Sequence, residues 1–101
     1  MEIPTPQDGL ITIYSKSGCS NCVKVKKLLE DKHADFLVIN CDEFILEDKP
    51  GFLHFIHLLV GQEYKTFPMV FLNTTFIGGF KDTEEYLVNL QEKPLNFDSD
   101  F

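Results

Sequence analysis

Cys19 and Cys22 are the residues whose types and spacing speak most directly of chemistry. Two thiols separated by two residues can close a disulfide across one turn of chain. Ser15 to Asn21 is small and polar, with Gly18 inside it, and reads as a turn. From Cys22 an apolar period of helical type begins, through Val25, Leu28 and Leu29. A helix therefore starts near Cys19–Ser20. Its free N–H groups and the positive end of its dipole both favour a thiolate at Cys19, and such positions bring a cysteine pKa from ~8.5 into about 3.5–7.5. Cys22 lies near the same helix end, one turn inward. One sulfur attacks, and the other resolves the mixed disulfide.

Two other uses of the pair stay open at this level. A structural zinc needs four ligands, commonly two such pairs. Only Cys41, His33, His54 and His57 remain, and none forms a second close cysteine pair. Inert core thiols are the other use, which the flanking Lys16, Ser20 and Asn21 argue against. Cys41 reads as a small buried hydrophobe closing a strand. His54 and His57, three apart on one helix, lack visible co-ligands and read as solvent-facing or half-buried. No metal is expected.

The elements that position the pair follow from periodicity. Residues 1–9 form an irregular lead-in. Leu10–Tyr14 is a buried strand, and a helix runs from about Cys19–Ser20 to Lys32. Phe36–Ile39 is a second buried strand, parallel to the first through a right-handed crossover. Asp42–Gly51 reads as an acid-rich connection with a Pro-Gly turn. Phe52, Phe55, Ile56 and Leu59 repeat at helical spacing, and Gly61 stops that helix. Met69–Leu72 and Thr75–Ile77 form a hairpin about Asn73–Thr74. Asp82 or Thr83 caps a last helix with Tyr86, Leu87 and Leu90 on its inner edge, and residues 94–101 read as a loose acidic tail. The expected fold is α/β, in the order β-α-β-α-β-β-α: a four-stranded mixed sheet flanked by three helices. The expected organisation is a single domain over 1–101, with its core at about 10–91.

Composition narrows the function classes. The chain has 101 residues, 44% of them hydrophobic, enough for one core. Its net charge of −7 disfavours a general nucleic-acid binder, which needs a cationic footprint. All nine positive side chains are lysines. The longest apolar stretch, around Phe52–Val60, is too short for a bilayer, which takes about 20 apolar residues. Residues 1–9 contain acids and prolines and do not read as a signal peptide. Three cysteines without a secretory signal point to a reducing compartment, expected to be cytoplasmic.

The segment Tyr14-Ser-Lys-Ser-Gly-Cys19-Ser-Asn-Cys22 resembles the active-site segment of the glutaredoxins. Thr66-Phe67-Pro68 is similar to that family's Thr-Val-Pro element, whose proline is cis, and Gly78-Gly79-Phe80-Lys81-Asp82 resembles its Gly-Gly-x-x-Asp turn. The three segments occur in the family's order and cover roughly residues 10–91. The resemblance implies a thioredoxin-like fold of the glutaredoxin type. It also implies a monomeric, glutathione-dependent oxidoreductase that reduces protein disulfides and glutathionylated proteins, with glutathione as co-substrate and no required cofactor. By the same resemblance Cys19 is the nucleophile and Cys22 the second thiol. Lys16, with Lys65 behind it, faces glutathione's glycine carboxylate. The backbone of Phe67 before Pro68 pairs with the tripeptide's cysteine, and Gly79, Phe80, Lys81 and Asp82 hold its γ-glutamyl end. The family usually has Pro-Tyr between the cysteines, where this chain has Ser20–Asn21. Some members with serine after the first cysteine hold a [2Fe–2S] cluster between subunits, a use that Ser20 permits without favouring. A thioredoxin-like reductase with a protein donor is the remaining alternative, against which Lys16 and the Gly-Gly-x-x-Asp turn favour glutathione.

Overall fold

The computed structural model describes residues 2–99, and the side chains of residues 2–89. Its elements are β1 (Ile11–Ser15), α1 (Ser20–Asp31), β2 (Phe36–Asn40), α2 (Asp42–Val60), β3 (Met69–Leu72), β4 (Thr75–Gly78) and α3 (Phe80–Ser99). The strands form one sheet in the order β2-β1-β3-β4. β1 pairs parallel with β2 and antiparallel with β3, and β3 pairs antiparallel with β4. This is the expected mixed sheet with three helices.

All five residues of β1 are buried, as a central strand covered on both faces requires. The two-residue period divides them. Tyr14 joins Phe52, Ile56, Phe67, Met69 and Phe71 in a half-core under α2. Ile11 and Ile13 join Val25 and Leu29 of α1, with Phe80 and Leu87 of α3, on the opposite face. β1 ends one residue later than expected because Ser15 pairs with Asn40 and its carbonyl accepts the Cys41 N–H at 2.8 Å.

Three expectations are corrected. The acid-rich stretch after β2 is helical from Asp42 onward, not a loop, and the helix breaks at Asp48 (φ −159°, ψ 81°). Asp48 caps the second segment: its Oδ1 accepts the Gly51 N–H at 3.0 Å, so Pro50 falls within the first turn, where its missing N–H has no helical partner to lose. Secondly, α3 starts at Phe80, ahead of the expected Asp82 or Thr83 cap. Asp82 sits in the first turn and reaches back, its Oδ2 accepting the Gly79 N–H at 3.4 Å. Thirdly, α3 runs on past Pro94 to Ser99, where a loose tail is expected; residues 87–93 hold no glycine or proline to stop it earlier. Residues 100–101 and the side chain of Leu90 lie outside the described residues.

Candidate active site

Cys19 occupies the N-cap of α1. Its backbone is extended (φ −110°, ψ 106°), and its Sγ accepts the Cys22 N–H at 3.2 Å. Sulfur here does the work usually done by Ser or Asp oxygen, facing a free N–H group at the positive end of the helix. Cys22 is bonded to Cys19 through a disulfide, with their Cα atoms 5.3 Å apart. The two are unequal: Cys22 is 1% exposed, whereas Cys19 is half-buried at the rim.

The motifs that stand far apart in sequence meet around this pair. Cys19 Sγ lies 3.6 Å from the Phe67 carbonyl oxygen, and the Phe67–Pro68 peptide is cis. The Lys16 ammonium sits over the Phe67 ring, 5.4 Å from its centre. Phe67 stacks on Phe52 at 6.0 Å, and Phe52 stacks on Phe44 at 6.3 Å. Gly79 packs against Pro68: a Cβ added there would lie 3.6 Å from the Pro68 carbonyl oxygen and from Tyr64 Oη. The Gly79 carbonyl accepts from both the Thr83 N–H (3.0 Å) and its hydroxyl (2.8 Å), which fixes the turn.

The remaining expected residues differ in their surroundings. Lys65 pairs with Glu63 at 3.7 Å, both largely exposed, and borders a hollow that Lys16 and Phe67 share. Phe80 lies beneath Lys24 of α1, whose ammonium is 5.9 Å from its ring centre. Asp82 and Lys81 are exposed in the first turn of α3. The site also has residues that the sequence reading missed. Asp42 accepts hydrogen bonds from the Ser17 N–H (3.0 Å) and the Ser17 hydroxyl, tying the loop before Cys19 to the start of α2. Those two bonds, with help from Asn40 and Lys16, hold its carboxyl below the usual carboxylate range. Tyr64 is pushed up first by burial and then by Asp82. Lys49 joins Lys16 and Lys65 around the same hollow. The signal for Asp42 and Lys49 was the acidic helix start, which the Pro-Gly pair disguised as a loop.

The third thiol differs in kind. Cys41 is fully buried, and burial pushes it up to about 12. His54 and His57 are exposed on α2 with rings 6.5 Å apart. Among the described residues no group of three His, Cys, Asp or Glu side chains gathers as a metal set would, and no helix is long and apolar enough to cross a membrane.

Comparison with known proteins agrees with this geometry. A family model described as glutaredoxin matches residues 11–77. Glutaredoxin-2, mitochondrial, of Homo sapiens is 37% identical over 79 residues, covering 78% of this chain and 46% of that protein. Glutaredoxin-C6 of Oryza sativa is 40% identical over 73 residues, covering 72% of this chain and 62% of that protein. The chain spans about half the length of the mitochondrial relatives it matches. Among solved structures, the holo form of glutaredoxin C1 from Populus tremula x tremuloides superposes with a TM-score of 0.66 at 30% identity, covering 87% of this chain and 83% of that one. With its dithiol at a helix start, its cis-proline element and its thioredoxin-like sheet, the chain belongs to the glutaredoxin family, whose members are thiol–disulfide oxidoreductases.

Proposed function

We propose that the chain reduces glutathione mixed disulfides and protein disulfides, with glutathione as electron donor, and that residues 10–91 form the single domain that does so. The observation that carries this reading is the inequality of the two thiols. Cys19 caps α1 at the rim, and Cys22 is buried behind it. In the reduced enzyme the Cys19 thiolate attacks the glutathionyl sulfur of a mixed disulfide and expels the other half as a thiolate, which takes a proton from water. A second glutathione thiolate then attacks the Cys19–glutathione disulfide, releasing glutathione disulfide and restoring the Cys19 thiolate. The substrate's glutathionyl unit leaves joined to one free glutathione, and the proton that this glutathione gives up matches the one the released thiolate takes up, so atoms and electrons balance. Lys16 and Lys65 face the glycine carboxylate, and the Phe67 backbone before Pro68 pairs with the tripeptide's cysteine. The Gly79–Asp82 turn holds the γ-glutamyl end: its helix N–H groups suit the carboxylate and Asp82 suits the amine.

The alternative is a [2Fe–2S] cluster held between two copies of the chain with glutathione as co-ligand. Such a cluster takes four ligands, and Cys19, at the rim, is the thiol that each copy would supply; a brown colour in the purified protein would favour it. Freshly purified protein is expected to be colourless. The compartment is a reducing one. Cytoplasm and the mitochondrial location in the relatives' name both satisfy that, and imaging of the tagged full chain separates them.

Glutathione-coupled reduction by the wild type and two cysteine variants tests the reading. Cys22→Ser should keep much of the activity on a glutathionylated small substrate, which one thiol can turn over, and lose most activity on a protein disulfide. Cys19→Ser should lose both, since a hydroxyl without a base is a poor nucleophile. Loss of both reactions in a folded Cys22→Ser protein would turn the reading toward a thioredoxin-like reductase.

A further inference from the structure

The hollow beside Phe67 carries more positive charge than one carboxylate calls for. It has a volume of about 130 Å³ and is bounded by Lys16, Lys49 and Lys65 against a wall of Phe52 and Phe67, with no carboxylate in its lining. The three lysines come from separate parts of the chain: the β1–α1 loop, the residue after the Asp48 break in α2, and the segment before Pro68. They meet on one rim of a chain whose net charge is −7. Lys65 pairs with the exposed Glu63, and Lys16 also acts on Asp42, which lies outside this lining; among the described residues Lys49 makes no ion pair. Such exposed pairs are weak and exchange readily for another anion. Gathered like charges repel one another, and an anion in the hollow relieves that repulsion.

We infer that Lys49 is a specificity-determining residue, and that the hollow takes cysteinyl peptides ending in a dicarboxylic residue in preference to ones with a single terminal carboxylate. The inference rests on the glutathione reading above, which assigns Lys16 and Lys65 to the terminal carboxylate and leaves Lys49 for a second. Half-buried Ile45 and Leu53, in the same lining, offer apolar contact to the methylenes that join two such carboxylates. Lys49 is exposed at the first helical position after its cap, so replacing it spares the core.

The test uses three mixed disulfides of 2-mercaptoethanol, with γ-glutamyl-cysteinyl-glycine, -glutamine and -glutamate. Glutamine and glutamate match in shape and differ by one charge. At low salt, kcat/KM for the glutamate disulfide should exceed that for the glutamine disulfide by about twofold to fivefold, the size of one exposed charge pair. The ratio should shrink as salt rises. Lys49→Gln should bring it close to one, while Lys27→Gln, an equal change of net charge on α1, should keep it. A wild-type ratio near or below one, a ratio that survives Lys49→Gln, or an equal loss in Lys27→Gln would each overturn the assignment. Turnover of the glycine disulfide with no glutamate preference sinks this inference alone. No turnover of any of the three sinks the glutathione reading and this inference with it.

Discussion

Cys19 and Lys16 show how much a single side chain owes to its immediate neighbours. The Cys19 sulfur faces a helix N–H, while the Lys16 ammonium rests on the Phe67 ring and is held by its charge rather than by a fixed fork of hydrogen bonds. Lys16→Ala should therefore raise KM for a glutathionylated substrate more than it lowers kcat, as expected when binding common to ground and transition states is removed. Steady-state kinetics at two ionic strengths would check this, with the smaller penalty expected at high salt. Kinetics unchanged at low salt would remove Lys16 from the carboxylate site. Cys41 has the opposite surroundings, sealed in the half-core with its Sγ 3.5 Å from the Ile39 carbonyl oxygen.

At the scale of elements, α2 decides the shape of the site. Its first segment supplies Asp42, which ties down the loop carrying Lys16 and Ser17. Its second begins at the Asp48 cap and brings Lys49, Phe52 and Phe67 together. Asp48→Ala removes the cap on Gly51 and should cost about 1 kcal/mol of stability, measured by urea denaturation. A difference within error of zero would mean that the Asp48–Gly51 bond contributes nothing net. The Asp42 tie has its own signature. Its folded-state pKa lies below the ordinary 3.8, so the stability it lends is present above that pH and is lost as pH falls through the lower folded value. The Ser17 amide should be protected from hydrogen exchange at neutral pH, lose that protection below pH 3.8, and lack it at neutral pH in Asp42→Asn. Equal protection in the wild type and the variant would show that the carboxylate is not what holds the loop.

For the whole molecule, two buried acids set an alkaline limit. Burial raises Cys41 from 9.0 to about 12, and it raises Tyr14 as well, with the neighbouring Cys41 adding to the effect. Both must stay neutral in the folded chain, and Tyr14 also donates a hydrogen bond to the Pro4 carbonyl at 2.6 Å. For groups whose folded pKa is raised, the stability is complete below the unfolded value and is lost as pH climbs toward the folded one. The urea midpoint should accordingly fall between pH 9 and pH 12, less steeply in Cys41→Ala. A midpoint that stays level through that window, or an identical fall in the variant, would show that Cys41 does not set the limit.

The sequence by itself determined the order of elements, the strand and helix character of most of them, and the dithiol at a helix start. These follow from local facts: periods of two and of helical type, turn residues, and two thiols at a fixed spacing. Phe67, Pro68 and Gly79 were reached only through the resemblance of their segments to the family's elements, and the structure sets Phe67 beside Cys19 and Gly79 beside Pro68. The tertiary structure alone decided which distant side chains share a space. Asp48 broke and recapped a helix where Pro50–Gly51 read as a loop, because a cap hydrogen bond satisfies backbone groups that sequence period cannot count. That helix carried Asp42 to Ser17 and Lys49 to Lys16 and Lys65. The burial that separates the three thiols was likewise decided by packing: Cys19 stands at the rim, while Cys22 and Cys41 are closed off by the core that the sheet and α2 build together.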